Sequence, residues 1–118
     1  MTNVYELICS VLEELGYAVR EQGSYGESES LPETYVTYFV LEQANESHAD
    51  NRPTGTRTSI QITLWSSDPV KIQSADANFK ALLIPAGFLR AGGRNLPFSQ
   101  KTGHYGYAST YNYHEMEG

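Results

Sequence analysis

Between Thr56 and Trp65 the chain alternates without a break: Ile60, Ile62 and Leu64 fall on one face of an extended segment, and Ser59, Gln61 and Thr63 on the other. A strand of this kind buries one face and leaves the other polar. It needs neighbours to complete its hydrogen-bond ladder and a separate layer to cover its apolar side. The residues for that layer lie elsewhere in the chain. Val4, Leu7, Ile8, Val11, Leu12 and Leu15 recur at helical spacing. Asn3 stands three residues before Glu6 as a capping box, and Gly16 follows the last apolar residue. Together they predict a helix over 4–15.

A second helix is predicted from Ser67-Asp68-Pro69, a capping residue followed by proline at the first helical position. Ile72, Ala75, Phe79, Leu82 and Leu83 then recur at helical spacing, until Pro85 and Gly87. Four further strands are expected: one from Tyr17 to Arg20, one over the β-branched and aromatic run Thr34 to Leu41, one at Phe88 to Ala91, and one over Gly106 to His114. In the last of these, Tyr107, Ser109, Tyr111 and Tyr113 share a face. Residues 21–33 and 42–55 are polar and read as long loops. Gly92-Gly93 and the segment 94–105 read as a turn or a hairpin tip. The order α-β-β-β-α-β-β predicts an α+β domain spanning 1–118, with two helices on one face of a mostly antiparallel sheet.

Charge narrows the partners. The net charge is −6, but residues 1–50 carry ten carboxylates and one base, Arg20, while residues 51–118 carry seven bases and four carboxylates. The first part is strongly acidic and the second mildly basic. With no dense basic cluster, the chain lacks what gripping nucleic acid requires. Opposite-signed parts let one copy attract another. No apolar run reaches the roughly 18 residues that cross a bilayer. The N-terminal stretch has acids where a signal peptide would be apolar. A soluble chain made in a reducing compartment is expected.

Chemistry-bearing motifs are sparse. Cys9 is the single cysteine, so neither a disulfide framework nor a cysteine-rich zinc site is available, and its mid-helix position suits packing. His48 and Asp50 do not complete a metal site. His104 and His114 have no serine or cysteine nucleophile in a recognisable turn beside them. No glycine-rich phosphate loop or nucleophile elbow occurs. Accordingly no catalytic, cofactor or metal residue is assigned. Nine tyrosines are the unusual count. Tyrosine joins a large contact area to a polar tip, which suits an interface between proteins as well as ordinary strand packing. Two loops of this length also suit a protein that orders on assembly.

The chain resembles the tail terminator proteins of long-tailed bacteriophages and prophages. The resemblance runs through LEELGYAV (Leu12–Val19), LPETYVTYFVLE (Leu31–Glu42), HADN (His48–Asn51) leading into TSIQITLWS (Thr58–Ser66), a helix ending in AGF (Ala86–Phe88), and the closing YASTYNYHEMEG. It implies a ring, usually of six copies, made in the host cytoplasm and placed at the tail–neck junction of the virion. Such a ring caps the finished tail tube, stops its polymerisation and offers the surface that joins the head. Its partners would be further copies of itself, the tail tube protein and a head–tail connector or neck protein. DNA would pass through the lumen without specific binding. There would be no membrane, no cofactor and no catalysis.

The interface residues expected on this reading are Tyr25, Glu27, Glu29, Asp50, Arg52, Arg57, Arg90, Arg94, Tyr107 and Tyr111, chosen from the long loops and the tyrosine-rich strands. Arg52, Arg57, Arg90 or Arg94 would face acids of the 21–33 loop across the ring contact. The alternatives are another neck or head-completion protein, a small α+β enzyme using His104 or His114 as a base, and a ligand-binding module built on the tyrosine-rich sheet face.

Overall fold

A computed structural model describes residues 4–21, 32–47 and 53–116. The elements run α1 (Val4–Glu13), β1 (Ala18–Glu21), β2 (Thr34–Ser47), β3 (Pro53–Ser66), α2 (Pro69–Gln73), α3 (Ala75–Leu83), β4 (Phe88–Ser99) and β5 (His104–Met116). The five strands form one sheet in the order β1-β2-β3-β5-β4. β1 pairs in parallel with β2, and every other pairing is antiparallel. This is the α+β architecture the periodicities predict.

The alternation of β3 sets the two faces. Ile60, Ile62 and Leu64 lie beside Val40, Tyr38 and Val36 of β2 and beside Tyr111, Ser109 and Tyr107 of β5. The helices cover this face. Val4, Ile8 and Leu12 of α1 and Ala75, Phe79 and Leu83 of α3 are buried against it, together with Phe88. Each such large aliphatic or aromatic side chain contributes roughly 1.5–3 kcal/mol by leaving water. α1 closes with tightened hydrogen bonds from Leu15 N–H to Leu12 O and from Gly16 N–H to Glu13 O, and Gly16 takes a φ of 85° that a side chain would resist.

Three expectations need correction. The segment 42–55 is not a loop in its described part. β2 and β3 continue as a ribbon whose pairing runs to Ser47 and Pro53, with a bulge at Leu41. The segment 92–105 is largely strand. β4 passes through Gly92 and Gly93 to Ser99, and only residues 100–103 turn. The single helix expected after Asp68 is two, broken at Ser74, whose hydroxyl donates to Lys71 O at 3.2 Å. Its start is as read: Asp68 accepts from Val70 N–H at 3.0 Å, with Pro69 at the first position. Most of the expected 21–33 loop lies outside the described residues.

Candidate assembly interface

The helix-covered side of the sheet holds a polar cluster centred on Asp76. Asp76, at the start of α3, accepts from the Tyr107 hydroxyl at 2.8 Å and from Arg90 Nε at 2.9 Å, and pairs with Lys80 at 3.0 Å. Arg90 also donates to the Tyr107 oxygen at 3.2 Å. The cluster ties α3 to β4 and β5. Burial alone would raise the Asp76 carboxyl, but the bonds from Lys80, Tyr107 and Arg90 outweigh it and hold the group at about 2. Beside it, an open groove of about 550 Å³ is lined by Ile72, Asp76, Leu96 and Tyr105 among others.

The opposite face carries an aromatic patch. Trp65 lies over Gly106, where a Cβ would sit 2.9 Å from its ring. Tyr35 stacks on Trp65 with centroids 6.3 Å apart, and the Trp65 indole N–H donates to Thr37 at 3.0 Å. His104 meets the Tyr35 ring edge-on at 5.2 Å. Its Nε2 lies 2.8 Å from Pro32 O, which can only accept, so Nε2 carries the proton. His104 is buried, and among the described residues its Nδ1 has no hydrogen-bond partner.

The residues expected at an interface separate into four groups. Tyr25, Glu27, Glu29, Asp50 and Arg52 lie outside the described residues. Tyr107 and Tyr111 belong to the core, with Tyr111 wholly buried, so neither offers its ring to a neighbouring subunit. The reason is parity: they share the Ile60–Leu64 face that the helices cover. Arg57 and Arg90 are engaged within the chain, Arg57 with Glu42 at 2.7 Å and Arg90 with Asp76. The Arg57–Glu42 pair is well exposed and contributes little stability. Arg94 is exposed on β4 and, among the described residues, has no ion pair.

The sheet ends in two outer strands, β1 and β4, whose far sides pair with no strand among the described residues. Leu89 and Phe98 of β4 are 56% and 46% exposed, large apolar groups on a strand edge. Sequence reading placed Leu89 on a strand without assigning it to the surface, and missed Phe98 because the segment 94–105 reads as a turn or hairpin tip. It also missed Asp76, whose partners are distant in sequence.

No protein-family model matches the chain, and no curated protein matches it in sequence. Among solved structures, it is similar to a chain from the virion of a native gene transfer agent particle. The TM-score is 0.54 at 16% identity, over 98% of this chain and 92% of that one. The likeness is one of fold, and it runs almost end to end.

Proposed function

We propose that this chain is a structural protein of a phage or phage-like virion, acting as a tail terminator. Copies close into a ring, six in number, on the end of the tail tube. The ring stops tube growth and presents the surface to which the head or its connector attaches, while DNA passes through the lumen without being held. The protein acts by shape and charge at repeated contacts, without catalysis or cofactor. The observation that carries this reading is the nearly full-length fold likeness to a chain of a gene transfer agent virion. The finer assignment, to the terminator among virion proteins, rests on the sequence resemblance through Leu12–Val19, Leu31–Glu42 and Thr58–Ser66.

A ring demands a heterologous contact that closes on rotation. The fold has two different strand edges at opposite sides of one sheet, which supports that geometry.

The test is the native mass of the purified protein by light scattering, paired with electron microscopy of tail tubes grown from their tube protein with and without this chain. A particle near six times 13.2 kDa, and tubes capped at a fixed length, are the expected results. A chain that stays monomeric, and leaves the length distribution of the tubes unchanged, overturns the proposal.

A further inference from the structure

We infer that the ring contact is an edge-to-edge docking between copies, in which the outer side of β4 receives the α1–β1 edge of the next copy. The inference rests on the ring reading and says which surfaces make the ring.

Charge is divided across the sheet. The segment 4–21, which forms α1 and β1, exposes four carboxylates, Glu6, Glu13, Glu14 and Glu21, against Arg20 alone. The β4–β5 hairpin from 88 to 104 holds Arg90, Arg94 and Lys101 and no carboxylate. Asp76 neutralises Arg90. Arg94 and Lys101 keep their charge unpaired among the described residues. One sheet edge is therefore acidic and the opposite edge basic, which favours head-to-tail association of identical copies and opposes pairing of like edges.

The backbone fits the same contact. β1 runs parallel to β2, and each step from β2 through β3 and β5 to β4 reverses direction. β4 therefore runs opposite to β1, and a copy rotated about an axis along the strands brings its β1 antiparallel to β4. Antiparallel pairing is the more stable kind. The bulge at Ala91 and the missing N–H of Pro97 confine a regular partner to the five residues Gly92–Leu96, with Arg94 at their centre. That stretch is long enough for the four residues of β1, Ala18–Glu21. On either side of it, Leu89 and Phe98 supply exposed apolar surface.

Charge reversal with rescue tests the contact, read by native mass across concentration at low salt. Arg94→Glu with Lys101→Glu, and separately Glu14→Lys with Glu21→Lys, should each raise the concentration needed for assembly by at least about tenfold. The fourfold variant should recover assembly to within about threefold, because attraction is restored with the signs exchanged. Circular dichroism of each variant monitors folding, and Glu14→Lys suits the C-terminal end of α1. Hydrogen exchange of the unmutated chain gives a second reading: the β4 amides should be slowed in the ring relative to the diluted monomer. A wild-type ring whose assembly concentration neither double reversal alone changes, and whose β4 exchange matches that of the monomer, overturns the edge contact and leaves the ring standing. A wild-type chain that forms no ring, alone or on a tube end, overturns both.

Discussion

The Tyr107 hydroxyl donates to Asp76 Oδ1 at 2.8 Å, and Gly93 is the residue that leaves room for it. Tyr107 on β5 stands across from Asn95 of β4 and reaches past Gly93, two residues earlier on β4, toward the start of α3. A Cβ at Gly93 would land on the phenol oxygen and lie 2.8 Å from Cζ. The glycine is therefore a packing requirement.

Gly93→Ala is expected to cost about 2 kcal/mol by overpacking. Tyr107→Phe is expected to cost about 1.5 kcal/mol, because it removes a bond to a charged group. In the double variant the phenylalanine frees the space that the new methyl group takes. Its cost should fall short of the sum of the single costs by about 1 kcal/mol, a coupling that urea unfolding of all four proteins would measure. Additive costs would show that the glycine serves some other end.

The same cluster makes stability depend on acid. Asp76 titrates at about 2 in the folded chain, against 3.8 for an ordinary aspartate. Below pH 4 the unfolded chain takes up this proton before the folded chain does. The contribution of Asp76 is therefore complete above pH 4 and is lost as the pH falls toward 2. A fully expressed shift would represent about 2 kcal/mol, and solvent screening of a partly exposed side chain reduces this to about 1 kcal/mol. Thermal unfolding between pH 5 and 2 should show a shallower decline for Asp76→Asn than for the unmutated chain. Equal slopes would place the acid sensitivity elsewhere.

What the sequence made legible follows from which residues bury a face. The stripe Val4, Ile8, Leu12 and the alternation Ile60, Ile62, Leu64 read directly, because each packs on a single apolar layer. The ribbon beyond Glu42 did not, since its sequence carries no apolar alternation. β4 read as a strand only to Ala91, because Gly92, Gly93 and Pro97 are turn signals in a sequence, while in the fold Gly92 follows a bulge at Ala91, Gly93 makes room for Tyr107 and Pro97 lies on an edge strand. The Asp76–Arg90–Tyr107 cluster could not be read at all. Its members are brought together by sheet order, and no local spacing announces that. The tyrosine parity was legible, but which side of the sheet the helices would cover was not.

On the opposite face, Trp65 replaces the side chain that Gly106 lacks. Its ring would meet a Cβ there at 2.9 and 3.0 Å, and Leu96 would meet it at 3.1 Å. Gly106→Ala should cost about 2 kcal/mol by displacing the ring, and Trp65→Ala about 3 kcal/mol by uncovering Gly106 and leaving Thr37 without its donor. Trp65 is the one tryptophan, so its fluorescence reports this site alone. A shift in the folded-state emission of Gly106→Ala is expected. An unchanged spectrum with unchanged stability would show that the ring is not held by this contact.

Tyr111 makes the contrasting case on the helix-covered face. It shares that face with Tyr107, and its side chain is wholly buried, but among the described residues its hydroxyl makes no hydrogen bond of ordinary length. Burial pushes the phenol pKa upward and outweighs the Ser109 hydroxyl on the same face, which pulls it down from beyond ordinary hydrogen-bond length. A buried hydroxyl without a partner forgoes its hydration and gains nothing in return. Tyr111→Phe keeps the ring among Ile60, Phe88 and their neighbours and removes only the uncompensated oxygen. It should leave stability unchanged or raise it by up to about 1 kcal/mol, where the same change at Tyr107 lowers it. Urea denaturation of the two single variants side by side decides the matter. A loss at Tyr111 equal to that at Tyr107 would mean that its hydroxyl finds a partner in solution, and that the two tyrosines serve the fold in the same way.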